Sequence, residues 1–151
     1  MIDYDVMQTP AGPCAVAVRD GRVVRVRLGR TMDVAARRKR LPQVRRWMTA
    51  WFAGGSPDVP IEVEASPFHR KVYEVVRAIR PGETRTYGEV ARAAGRPGAA
   101  RSVGNAMARN PVCLFIPCHR VVGTAGLGGY SAAGGLATKR RLLDRERAAA
   151  R

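Results

Sequence analysis

Thr86-Tyr87-Gly88-Glu89 and, ten residues further on, Ala99-Ala100-Arg101-Ser102-Val103-Gly104-Asn105-Ala106-Met107-Ala108-Arg109 decide the fold of this 151-residue chain. The first stretch has the form of a capping box, Thr at the N-cap and Glu three residues on, and opens a short helix to about Ala94. Gly95-Arg96-Pro97-Gly98 makes a tight connection, and the second stretch reads as an Ala-rich helix with Val103 and Met107 one turn apart. Two short helices joined by a Gly-containing turn fit a helix-turn-helix. A plain helical hairpin in a core fits the same pattern. The second helix is poor in long polar groups, with only Arg101 and Asn105 before Arg109. A reader of the major groove needs several Arg, Asn, Gln or Lys side chains on base edges. A helix offering Ala100, Ser102 and Gly104 can instead press against backbone or into a minor groove, with one arginine projecting.

Upstream, Ser66 is placed to cap a helix that starts at Pro67, with Phe68, Val72, Val75, Val76 and Ile79 on one face and Pro81-Gly82 as its stop. The first thirty residues read as β. Tyr4, Val6 and Gln8 alternate before the turn Thr9-Pro10-Ala11-Gly12, and Asp20-Gly21 between two β-branched runs predicts a hairpin. Arg37 to Arg40 reads as a solvated basic run. Leu41 to Phe52 reads as a helix whose Val44, Trp47, Met48, Trp51 and Phe52 form a core face, and Gly54-Gly55-Ser56-Pro57 ends it. The stretch to Ser66 reads as a linker or edge strand. The expectation is an α+β protein in two units. Residues 1–65 form a small antiparallel β-sheet with a helix. Residues 66–151 form a mainly helical domain carrying the helix-turn-helix, winged-helix-like in form, and the Ala-Arg-rich last residues are expected to fray.

Lys and Arg number 27 against 12 Asp and Glu, a formal net charge of +15. Such an excess points to a polyanion, nucleic acid first. Residues 66–151 carry a net +11 of it, so the second unit is the better candidate for touching phosphate. Arginine makes up 24 of the 27, a composition that suits phosphate and guanine and that a GC-rich genome also produces. No apolar run approaches the ~18 residues of a membrane span. The N-terminus lacks the pattern of a signal peptide, and three scattered cysteines make no disulfide scaffold. A cytoplasmic, nucleoid-associated protein is expected.

Leu114-Phe115-Ile116 reads as a short buried strand leading into Pro117-Cys118-His119-Arg120-Val121-Val122-Gly123. A thiol with a pKa near 8.5 is only a few per cent thiolate at neutral pH, so a base or positive potential beside it makes it a nucleophile. A free cysteine after an apolar strand is also often a small buried hydrophobe. Cys14 and Cys113 read in that second way. Cys113, Cys118 and His119 lack structural-zinc spacing, and no Gly-x-Gly-x-x-Gly occurs, so neither metal nor cofactor is expected.

Ile116-Pro117-Cys118-His119-Arg120-Val121 resembles the active-site signature of the O6-alkylguanine-DNA alkyltransferases. Gly82-Glu83-Thr84-Arg85-Thr86-Tyr87-Gly88 resembles that family's entry to its helix-turn-helix, and Ala99 to Met107 its recognition helix. Asn110-Pro111-Val112, Gly129-Tyr130-Ser131, Gly134-Gly135-Leu136 and Lys139 to Glu146 follow in the family's order, so that residues 66–147 are covered almost continuously. Residues 1–65 agree more loosely.

The resemblance implies direct reversal of DNA damage, in which Cys118 takes the alkyl group from O6 of guanine, or O4 of thymine, once per molecule. It implies a monomer on double-stranded DNA carrying the lesion, contacted through Arg101, Ala100, Ser102, Gly104 and Arg120. Arg101 would fill the gap left by the flipped nucleotide. Tyr87 would help rotate it and donate a hydrogen bond to guanine. Tyr130, Ser131, Val121 and Met107 would shape the substrate pocket: Ser131 bonds O6, and the carbonyls of Cys118 and Val121 read the exocyclic amine. His119 and Glu146 would relay the thiol proton through a water, and Asn110 would brace the active-site turn. Cys118 sets the chain apart from non-catalytic alkyltransferase-like binders, which lack the cysteine. A transcription factor built on the same helices and a Cys-His hydrolase are weaker alternatives. Ser131-Ala132-Ala133-Gly134-Gly135 is about two residues longer than in many relatives, which bears on the pocket lid and on bulky alkyl groups.

Overall fold

The computed structural model describes residues 1–150. Strands β1 (Asp3–Thr9), β2 (Gly12–Arg19) and β3 (Arg22–Leu28) form an antiparallel meander, and β4 (Arg37–Arg38) joins β1 in parallel, giving the order β3-β2-β1-β4. Asp20 and Gly21, at φ 50° and 78°, make the β2–β3 turn in the left-handed conformation that matches strand twist. The basic run at 37–40 is exposed, as read from the sequence, and also supplies an edge strand. Its first two residues pair with Asp3 and Tyr4, because Arg37 donates its backbone N–H to Ile2 and its guanidinium to Asp3. The stretch before Ser66 is the edge the sequence allowed, with Val23 N–H on Pro60 O and Glu62 N–H on Val23 O.

Helix α1 (Pro42–Phe52) lays Val44, Met48, Trp51 and Phe52 on the sheet, and α2 (Pro67–Arg77) starts at the Ser66 cap, whose hydroxyl accepts from His69 N–H. Burying each such apolar side chain contributes about 1.5–3 kcal/mol. The Thr86 capping box forms in full and opens α3 (Tyr87–Ala93), and α4 (Ala100–Ala108) packs against α3 and α2. Tyr73 of α2 donates its hydroxyl to Ala106 O at 2.8 Å, which fixes the level of α4. The long α5 (Gly135–Ala149) closes the molecule. Its Ala-rich end, expected to fray, stays helical through Ala149, and Arg151 lies outside the described residues. Buried residues from both sides of position 65, from Met7 to Leu142, form one cluster.

Two local features set the position of Cys118. A two-stranded parallel sheet pairs β5 (Arg85–Thr86) with β6 (Val121–Val122), so the start of α3 is held beside the residues just after Cys118. Residues 114–116 are a tight turn, where a strand was expected. Leu114 sits at φ 74°, Ile116 N–H returns to Val112 O, and Asn110 closes the loop by donating Nδ2 to Ile116 O at 2.8 Å and accepting from Val112 N–H at 3.0 Å. Non-glycine residues hold such a conformation only where the surroundings over-determine it. Here Val26 N–H on Pro111 O ties the turn to β3 as well.

Candidate active site

Cys118 begins a single 3₁₀ turn, Cys118–Arg120, at the end of that Asn110-braced loop. The next two side chains enter the interior. His119 is fully buried, and its Nε2 lies 3.1 Å from Glu146 Oε2 on α5. Arg120 donates Nε and Nη2 to Glu146, the latter at 2.6 Å, and Nη1 to Ile79 O at 2.7 Å. Arg120 is therefore not a surface group for DNA, where the family resemblance had placed it. Its guanidinium is spent inside the protein neutralising Glu146, and it lies over the Trp51 ring. Trp51 also stands edge-on to His119, so α1 walls this cluster from the N-terminal side.

The charges fix the proton positions. Burial by itself raises the Glu146 carboxyl, but the Arg120 and His119 hydrogen bonds and the charge beside it outweigh that and hold it at about 2. A carboxylate can only accept, so the His119 hydrogen sits on Nε2 and the lone pair on Nδ1. Burial, helped by the Arg120 and Lys139 charges, pushes the His119 pKa down and keeps the ring neutral. Nδ1 is buried and has no protein partner. Burial pushes the Cys118 thiol up, with the Asn110 side chain and the Lys139 ammonium pulling the other way. A neutral thiol is followed in the chain by a neutral, oriented imidazole with a free basic nitrogen, a pair that can pass a thiol proton through a bridging water.

Lys139 was read from sequence only as part of the last helix. It is fully buried, and Nζ donates to Val121 O at 2.7 Å and Gly129 O at 2.9 Å. Only the spacing of α5 against two distant carbonyls makes it a tether, so a single side chain in sequence carries no signal of it. Burial lowers its pKa to about 8, against the raising effect of Cys118.

A slot of about 250 Å³ opens over Cys118, lined by Tyr87, Gly104, Met107, Ala108, Gly129, Tyr130 and Ser131. Tyr87 is held by Gly129 N–H, which donates to its hydroxyl at 3.3 Å. Gly128 is packed on the Tyr87 ring so closely that a Cβ there would lie 2.5 Å from the hydroxyl. Of the expected pocket residues, Tyr130, Ser131 and Met107 line the slot. Val121 does not; it lies behind it, its carbonyl taken by Lys139. On α4, Arg101 is exposed, Ala100 and Ser102 are half-buried, and Gly104 faces the slot.

Residues 67–148 match the family described as 6-O-methylguanine DNA methyltransferase, DNA binding domain. A methylated-DNA–protein-cysteine methyltransferase of Mycolicibacterium paratuberculosis is 38% identical over 97% of this chain and 93% of its own length. Mycobacterium tuberculosis OGT, solved in complex with DNA, superposes with a TM-score of 0.87 at 35% identity, covering 97% of this chain and 94% of its own. The O6-methylguanine methyltransferase of the same organism gives 0.88 at 32% identity, over 100% and 96%. The chain belongs to the 6-O-methylguanine DNA methyltransferase family.

Proposed function

We propose that this chain repairs alkylated DNA by moving an alkyl group from O6 of guanine, or O4 of thymine, onto Cys118, irreversibly and once per molecule. The observation that carries the reading is Cys118 at the floor of the Tyr87–Tyr130 slot, next to a His119 whose Nδ1 is basic, buried and unpartnered. The α3–α4 pair acts as the helix-turn-helix, laying the small residues of α4 in the minor groove. The damaged nucleotide leaves the stack at a cost of a few kcal/mol, and Arg101 takes its place. In the slot the base lies between Met107 and Tyr130. His119 receives the thiol proton through a water while Glu146 stays ionised. Sulfur attacks the alkyl carbon as its bond to O6 breaks, and the electron pair passes to guanine. Tyr87 O–H and the Ser131 backbone N–H stabilise that developing charge. The Cys118 carbonyl accepts from the exocyclic amine, Val121 being held behind the slot by Lys139, and the chemistry lies within residues 66–151.

Incubation with a duplex carrying one O6-methylguanine, followed by intact mass and peptide mapping, tests this. Mass equal to one methylene should appear on the Cys118 peptide. Modification elsewhere, or none, overturns the reading.

A further inference from the structure

A second cavity meets the thiol. A cleft of about 540 Å³ lies between β3, the C-terminal end of α4 and the Ser131–Ala133 loop. It shares Cys118, Ala108 and Ser131 with the base slot, so Cys118 sits on the border between the two spaces. The base slot is walled mainly by tyrosines, Met107 and glycines, whereas the cleft is lined by Arg25, Arg27 and Arg109 and by no acidic residue. Arg25 is balanced by a two-point bond to Asp33, at 3.0 and 2.6 Å. Arg27 and Arg109 pair with no carboxylate among the described residues. Ser131, Ala132 and Ala133 of the substrate loop also line it.

Displacement at carbon needs sulfur, carbon and O6 in line, so any further atoms of the alkyl group project sideways from that line. The second space that Cys118 lines, apart from the base slot, is the arginine-lined cleft. We propose that the cleft is an alkyl-group subsite that selects O6-alkylguanines whose alkyl group ends in an anion, carboxymethyl being the smallest. The proposal rests on alkyl transfer to Cys118 and specifies its substrates. In the step, the Cys118 S–C bond forms and the C–O6 bond breaks. The electron pair goes to guanine, the thiol proton to His119, and the carboxylate stays ionised between Arg27 and Arg109. No oxidant or co-reactant is needed.

The test compares single-turnover rates on duplexes carrying O6-carboxymethylguanine and O6-carbamoylmethylguanine, which have nearly the same shape and differ in charge, with O6-methylguanine as the reference. Transfer is read as mass gained at Cys118. Carboxymethyl should transfer about three- to tenfold faster than carbamoylmethyl, the scale of one or two charge contacts near a protein surface, and added salt should narrow the gap. In the double variant R27S/R109S the ratio should fall to about one, with methyl transfer unchanged. That unchanged rate also reports an intact fold. Equal rates for the two larger groups in the unmodified protein would overturn the proposal while leaving alkyl transfer standing. So would a double variant that slows all three substrates alike, which would make the arginines phosphate contacts. Failure to transfer even methyl would instead remove the reading beneath it.

Discussion

Lys139, without solvent exposure, donates to the Val121 carbonyl at 2.7 Å, and its second bond to Gly129 ties the active-site turn to the substrate loop. Lys139→Met deletes both donors. Transfer should slow with DNA and with free O6-alkylguanine alike, because both need the slot. The folded pKa of about 8 lies below the ordinary 10.5, so the buried charge costs stability below pH 8, and that cost disappears as pH rises from 8 to 10.5. The stability difference, unmodified protein minus variant, should therefore climb across that window in denaturant titrations. A flat difference would show that Lys139 is not held as a buried cation.

Glu146 gathers His119 together with Nε and Nη2 of Arg120. Glu146→Gln leaves the Arg120 charge buried and uncompensated, a loss of roughly 3–5 kcal/mol, and it leaves a single amide oxygen for His119 and Arg120 to share. The carboxyl is held at about 2 against an ordinary 4.5, so its stabilisation is complete above 4.5 and is lost as pH falls from there towards 2. His119 stays neutral when folded but takes a proton when unfolded, so stability also declines as pH falls through 6.5. Thermal melts against pH should show both declines in the unmodified protein and lose the lower one in the variant.

The short-range signals were legible in the sequence. The Ser66 and Thr86 caps, the Asp20-Gly21 turn and the α1 face each depend on neighbours within a few residues, and each formed as read. What escaped depends on distant partners. Leu114 looked like strand because its left-handed backbone is imposed by Asn110 and by β3, more than eighty residues earlier in the chain. Arg120 looked like a DNA contact because nothing near it announces Glu146 and Ile79 O. Lys139 and the wall formed by Trp51 were missed for the same reason.

Arg101 is exposed on α4, and Tyr87 lines the base slot. Arg101→Ala should slow repair in duplex DNA with little change for the free alkylated base. Tyr87→Phe should slow both, since it deletes a donor to the leaving group. An equal loss on both substrates in Arg101→Ala would make Arg101 a structural residue.

The net charge of +15 sets the salt response. If about five phosphates are engaged, the log–log slope of affinity for undamaged duplex against salt should be about −4 to −5. A flat response in a binding titration would contradict phosphate contact as the source of affinity.

Cys14 and Cys113 are buried, and burial pushes both thiols up, Cys14 to about 12. Cys118→Ala should abolish transfer and keep DNA binding, whereas Cys14→Ala and Cys113→Ala should stay active. The central claim is single use, and titration with excess O6-methylguanine duplex tests it most directly. A thioether is a stable product. Demethylated guanine should plateau at one equivalent per active protein, with the protein heavier by about one methylene and less stable by about 1–3 kcal/mol from the added methyl. Guanine that continues to accumulate past one equivalent would mean that Cys118 is regenerated, and would contradict single use.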